Sequence, residues 1–305
     1  MEIRQLRYFV AVARAGSFTR AARMLRVAQP ALSQQIHALE EETGVILIER
    51  SNRTRGLTDA GESFLVRAER ILAEILDAGE ELGAHAGGSR GTVRIGCALQ
   101  TLVEGRLPPL LAEFRARYPG VRILFREVHT RQVLRLLARG EVDLGLVHLA
   151  RTGSAPPVGM EGASGEITLL QLYREPLLLI VGPGHRLANR AVAAFDEVRD
   201  EPFVAFRAGA TVRRIVAAVA EQRGFAPRIA FSTASMSTVR ALVSAGLGVA
   251  VVPESALDAA GPKLHAIRFS GARLERIVTL ARNSSRYESA AVGAMRQLLS
   301  ERLRR

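Results

Sequence analysis

The stretch FTRAARMLRVAQPALSQQIHALEEETGV, Phe18 to Val45, decides how the first part of this chain folds. Its apolar residues are few and small, but they are ordered. Ala21, Ala22 and Leu25 share one side of a short helix for which Ser17 is a natural N-cap. Leu32, Ile36 and Leu39 form the buried stripe of a second helix, with Pro30 suited to its first turn and Gly44 to its end. Only Arg26, Val27 and Ala28 separate the two, a turn short enough to make a helix-turn-helix. At ~100° per residue, Pro30, Gln34 and His37 project opposite the buried stripe, Ser33 stands at its edge and Gln35 borders the core.

The flanks extend this picture. Upstream, IRQLRYFVAVARAG repeats Leu6, Phe9, Val10 and Ala13 at helical spacing, and Gly16 can end that helix. Downstream, VILIERSNRTRGLTDAG reads as strand, basic turn and strand, a small wing. Thr58 can then cap a long helix, with Asp59 and Glu62 near its positive end. Phe64, Leu65, Ala68, Ile71, Leu72, Ile75 and Leu76 recur along that helix. One helix cannot bury such a stripe alone, so pairing with a second chain is expected. HAGGSRG (85–91) reads as a linker.

Beyond it the texture changes to strands alternating with helices. TVRIGCAL, VRILFREV and VDLGLVHL read as strands around the helices LPPLLAEFRARYPG and RQVLRLLARG. This order predicts a parallel, doubly wound sheet. EPLLLIVGPGH opens a second run of the same kind, and a last strand is expected around Arg276–Leu280 before a terminal helix. Two such halves predict a cleft between them. The expected domains are 1–58, 59–88 as a linker helix, and 89–305 as two α/β lobes, the first about 90–165 and 268–305, the second about 166–267.

Composition bounds the function. The 305 residues are 48% apolar, enough for a real core. No run approaches the ~18 apolar residues a membrane span needs, and the uncharged stretch Tyr8–Ala13 is shorter than the about 7–15 residues of a signal-peptide core. A cytoplasmic protein without a membrane role is the expectation. A single cysteine, Cys97, excludes an internal disulfide and a multi-cysteine metal site. The formal charge of +12 invites a nucleic-acid reading. Residues 1–58, however, hold nine arginines against five glutamates, and 59–88 hold two arginines against seven acids. Most of the basic excess therefore lies past residue 88, and net charge alone assigns no partner.

The order of winged helix-turn-helix, long helix, hinge and two α/β lobes resembles the LysR-type transcriptional regulators over essentially the whole chain. The stretch from Leu6 to Gly61 carries the resemblance most specifically; LVSAGLGVAVVP (242–253) adds to it more weakly. The resemblance implies a winged helix-turn-helix, a dimerising linker helix, and an effector domain similar to type 2 periplasmic binding proteins. It also implies a homodimer or homotetramer that binds double-stranded promoter DNA, engages RNA polymerase if it activates, and answers to a small co-inducer.

With that family in view the residues take candidate roles. Pro30, Gln34 and His37, with Gln29 and Ser33, present short or amide side chains without negative charge at a helix N-terminus, where backbone N–H groups favour phosphate. Gln can bond an adenine edge in two places and Ser several bases, which suits the major groove. Arg53 and Arg55 on the wing would reach phosphate or the minor groove, and Arg20 would flank the groove. For the effector, strand-to-helix junctions offer Gln100, Thr101, His129, Thr130, His148 and Phe206. The threonines, Thr211 included, equally suit plain N-capping, and the histidines equally suit structural positions. The positive balance of the lobes points to an anionic organic acid as the co-inducer.

Two other classes stay in view. Residues 90–305 alone look like a solute-binding protein. An α/β enzyme lacks support: no serine sits in a nucleophile elbow, no histidine pair has metal spacing, and GLGVA (246–250) is too short for a dinucleotide fingerprint. No catalytic residue, metal or resident cofactor is assigned.

Overall fold

The computed structural model describes residues 1–49, 56–85, 91–99, 102, 105–149, 167–258, 261–271 and 274–304. It divides into two compact units: Met1–Gly88 with Arg139–Glu141, and the remainder. Four of the candidate residues, Arg53, Arg55, Gln100 and Thr101, lie outside the described residues, as does most of the 85–91 linker.

The N-terminal unit holds α1 (Ile3–Ala15), α2 (Phe18–Leu25), α3 (Gln29–Thr43) and α4 (Asp59–His85). Local chemistry sets their ends. Gly16 closes α1 in the left-handed conformation (φ 59°), and the next residue, Ser17, accepts a hydrogen bond from the Arg20 N–H to start α2. Arg26 closes α2 at φ 56°, a left-handed turn that a non-glycine residue adopts at a cost of about 1–2 kcal/mol. Leu6, Phe9, Ala21, Leu32, Ile36, Leu39 and Ala68 are buried together as one core.

The wing is a short antiparallel bridge, Ile48 to Leu57. Thr58 caps α4 by accepting from the Gly61 N–H at 3.0 Å. Part of the α4 stripe is covered within the chain itself. Phe64 packs against Phe9 with the rings tilted and 5.2 Å between their centres, and Leu65, Ala68 and Leu72 join the core of the same chain. The first half of α4 is therefore buried by α1, while Val66 and Ile71 stay exposed.

The C-terminal unit is built on a mixed sheet. Its strands are β1 (Gly91–Cys97), β2 (Val121–Glu127), β3 (Leu144–Leu149), β4 (Ile167–Val181), β5 (Val192–Ala194), β6 (Pro202–Phe206), β7 (Arg228–Thr233), β8 (Ala250–Pro253), β9 (His265–Ser270) and β10 (Glu275–Asn283). The helices are α5 (Leu107–Arg117), α6 (Thr130–Ala138), α7 (Thr211–Gln222), α8 (Met236–Ser244) and α9 (Ala290–Leu303). The strand order is β2-β1-β3-β10-β4-β9-β5, with β8 also on β4, and β6 pairs with β7 separately.

Here the structure departs from a purely parallel sheet. β1 runs parallel to β2 and β3, but β10 inserts antiparallel between β3 and β4. β4 does not begin with the second lobe, as its EPLLLIV segment suggested. Its residues Ile167–Pro176 pair with β10 in the first lobe, and Leu177–Val181 pair with β8 and β9 in the second. One continuous strand thus belongs to both lobes. Each lobe keeps its own core. The first centres on Ile95, Leu144, Val278, Phe114 and Met295, the second on Leu179, Phe195, Phe203, Val249 and Ile267.

Candidate functional site

In α3 the first turn is left open for a partner. Its N-cap, Ala28, supplies no side-chain bond, Pro30 sits in the first turn, and no acid lies there. The first N–H groups of such a helix lack internal acceptors and attract anions. Leu32, Ile36 and Leu39 are fully buried. Gln29, Pro30, Gln34 and His37 are exposed, and Ser33 is half-buried. Arg20 is exposed on α2. His37 places Nε2 3.3 Å from the Glu41 carboxylate one turn on. Gln29 and Ser33 line a concavity of about 380 Å³ together with Ser17, Thr19, Glu49 and Gly56.

Glu40 is not among the residues singled out from the sequence. Glu40 is buried, and its Oε1 accepts from the backbone N–H groups of Leu47 (2.9 Å) and Ile48 (3.1 Å). The one available signal was its place beside Leu39, at the edge of the buried stripe.

In the second unit, Thr130 begins α6, is buried, and donates its hydroxyl to the His148 carbonyl on β3 at 3.4 Å. His129, just before it, is exposed, and its carbonyl accepts from Gln132 and Val133. Thr130 thus meets His148, and no bond joins His129 to either among the described residues. Thr211 is buried but does not cap α7; the N-cap there is Ala210, without a side-chain bond. Phe206 ends β6, is half-buried, and lines a pocket of about 160 Å³ within the second lobe, with Val212, Val216 and Ile229.

His148 is the most unusual of the candidates. It lies opposite Val278 of β10. Its Nδ1 is shielded from water and has no hydrogen-bond partner among the described residues. Burial, then the positive charges of Arg276 and Arg214, push its pKa down to about 3. The imidazole is neutral at any physiological pH. Arg214 stands in the first turn of α7, so charge from the second lobe reaches a histidine of the first. Arg276, on β10, pairs with Glu175 on β4 at 2.6 Å; Glu175 also accepts from the Ser255 N–H at 3.0 Å. Neither Arg214 nor the Glu175–Arg276 pair was singled out from sequence, because nothing in their spacing relates them to His148.

The depressed pKa has a measurable consequence. Unfolded His148 titrates near 6.5 and folded His148 near 3, so between those values the unfolded chain binds the extra proton. Stability from this residue is complete above about pH 7 and falls as pH drops toward 3, by up to about 1.4 kcal/mol per unit. From pH 7 to pH 5 the native chain should lose roughly 2 kcal/mol more than His148→Leu in urea unfolding. Equal pH slopes for the two proteins would show that the imidazole is not held neutral.

Cys97, at the end of β1, is buried, and burial pushes its thiol up to about 12. It stays protonated and is a poor nucleophile.

Known proteins resemble this chain over both units. Residues 3–62 match the family model described as "Bacterial regulatory helix-turn-helix protein, lysR family", and residues 86–304 match "LysR substrate binding domain". The chain belongs to the LysR family of transcriptional regulators. It is 36% identical over 258 residues to the HTH-type transcriptional regulator AlsR of Bacillus subtilis, covering 84% of this chain and 82% of that one. The transcriptional dual regulator GltC of the same species is 33% identical over 263 residues, 86% and 84% of the two chains. Among solved structures, CbnR, a LysR family transcriptional regulator, superposes with a TM-score of 0.66 at 25% identity and covers 99% of both chains. Full-length CbnR complexed with its target DNA gives 0.65 at 25% identity, over 99% of this chain and 100% of that one. This LysR-family chain is a DNA-binding transcriptional regulator with a substrate-binding domain, and not an enzyme. The solute-binding and enzymatic readings are set aside. No helix among the described residues is long and apolar enough to cross a membrane.

Proposed function

We propose that Gln29, Pro30, Ser33, Gln34 and His37 of α3 read base edges in the major groove of promoter DNA. Arg20 contacts backbone phosphate, and Arg53 and Arg55 of the wing contact phosphate or the minor groove. The observation that carries this reading is the exposed, acid-free first half of α3, set over a fully buried Leu32–Ile36–Leu39 stripe. The protein acts in the cytoplasm as a homodimer or homotetramer, with residues 1–58 reading DNA, 59–88 as linker helix and 89–305 as effector domain, and engages RNA polymerase where it activates.

The effector is a small anionic organic molecule held between the lobes. Gln100, Thr101, His129, Thr130 and His148 serve it from the first lobe and Phe206 from the second. Support comes from the polar atom of His148 that lacks a partner among the described residues, and from the Arg214 and Arg276 charges around it.

A gel-shift titration against the DNA upstream of the protein's own gene tests the DNA reading. Gln34→Ala should weaken specific binding by about 1–3 kcal/mol and leave its salt dependence unchanged. Arg20→Ala should weaken specific and competitor DNA alike and lower the salt slope by about 1. Equal loss on both DNAs from Gln34→Ala would remove it from base recognition.

A further inference from the structure

The buried Glu40 carboxylate has a job that neither the helix-turn-helix nor the wing explains by itself. Glu40 lies in the last turns of α3, six residues after Gln34 on the same helix, or ~9 Å along its axis. It is only 7% exposed, so its charge has been taken out of water. Such a group persists where hydrogen bonds replace its hydration. Here two backbone N–H groups converge on one oxygen, Oε1: Leu47 at 2.9 Å and Ile48 at 3.1 Å. Ile48 is the wing residue that bridges to Leu57. Leu47 is held from its other side as well, because its carbonyl accepts from the Thr58 N–H at 3.1 Å.

We infer that Glu40 is a positioning residue for DNA recognition: it fixes the root of the wing to the helix that reads bases, so that both reach one stretch of DNA in a set register. The inference rests on α3 entering the major groove, and it assigns the wing's placement to this one side chain. The covalent link from α3 to the wing, Gly44 to Ile46, contains a left-handed glycine and two exposed apolar residues, Val45 and Ile46. Backbone bonds such as Val45 N–H to the Glu40 carbonyl close the helix end, but the N–H groups of Leu47 and Ile48 point to a side chain. Glutamine can present one oxygen in the same place. Aspartate keeps the charge but is one methylene shorter, and alanine supplies nothing.

The test uses the full chain on the DNA upstream of its own gene, at saturating protein. Dimethyl sulfate protection reports the major groove under α3, and hydroxyl-radical protection reports the sugars along the minor groove under the wing. Glu40→Ala should lose the wing protections, keep those of α3, and lose affinity about tenfold or more. Glu40→Gln should restore both measures, and Glu40→Asp should fall between. Wing protections that persist in Glu40→Ala and in Glu40→Asp overturn the inference. So does uniform loss of all protections in Glu40→Asp with a lowered melting temperature, which would mark a purely structural role. Absence of α3 protections in the native protein would instead remove the underlying placement of α3 in the groove, an outcome seen before any variant is made.

Discussion

Glu175→Ala should lower the stability of the substrate-binding domain by about 3–5 kcal/mol, among the largest effects of any single change in the chain. Glu175 and Arg276 are about 95% buried, with side-chain exposures of 5% and 6%, and their ion pair is 2.6 Å long. Removing the carboxylate leaves the guanidinium in a site built for a pair, and it also takes the acceptor from the Ser255 N–H. The position matters beyond its energy. Glu175 sits at the point where β4 passes from pairing with β10 to pairing with β8 and β9. Arg276 faces it on β10 and acts electrostatically on His148. The pair therefore ties the strand shared by both lobes to the candidate effector site. Calorimetry should show the transition of this domain moving down while DNA binding at low temperature persists. The double change Glu175→Leu with Arg276→Met should recover most of the loss, because an apolar pair of similar volume needs no desolvation. A single variant as stable as the native chain would show that the pair is solvated.

Gly61→Ala should be the second large effect, confined to the DNA-binding unit. A Cβ at Gly61 would lie 2.0 Å from the Leu47 carbonyl oxygen and 3.0 Å from its carbon. Both are backbone atoms, so no side chain can turn aside. Either α4 or the wing must move, at a cost of about 2–3 kcal/mol, above the small gain alanine brings to a helix. Because the same Leu47 peptide is gripped by Glu40 and Thr58, the displacement reaches the reading helix as well. Specific DNA affinity should drop about tenfold or more, and the melting transition of the substrate-binding domain should not change. Unchanged affinity together with unchanged stability would mean that the close approach of α4 to the wing is not required.

The legible parts of this chain are those whose signals are local. Ser17, Gly16, Pro30 and Gly44 mark helix ends by chemistry within one turn, and the structure places caps or first-turn residues at each. The outward and inward faces of α3 follow from its period alone, and Leu32, Ile36 and Leu39 are buried while Gln34 and His37 are exposed. Thr130 and His148 were each visible as junction residues, yet the hydrogen bond that joins them was not. Thr211 looked like a cap and proved to be the first residue inside its helix. The stripe on α4 was visible as apolar, but periodicity says that a face must be covered and not by what; α1 covers half of it.

Helix ends and buried faces are written locally, because helix period, capping chemistry and turn residues act over a few positions, and the long motif from Leu6 to Gly61 carries the family. Which distant elements meet is settled only in the assembled fold. β10 inserts antiparallel between β3 and β4, Arg276 finds Glu175 from 101 residues away, and Arg214 of the second lobe acts on His148 of the first. Glu40 accepts from backbone N–H groups seven and eight residues on, at the root of the wing. These are pairings between a side chain and a partner with no periodic relation to it. They arise when burial removes water from a polar group, which then persists only where the assembled fold supplies a hydrogen bond or a countercharge.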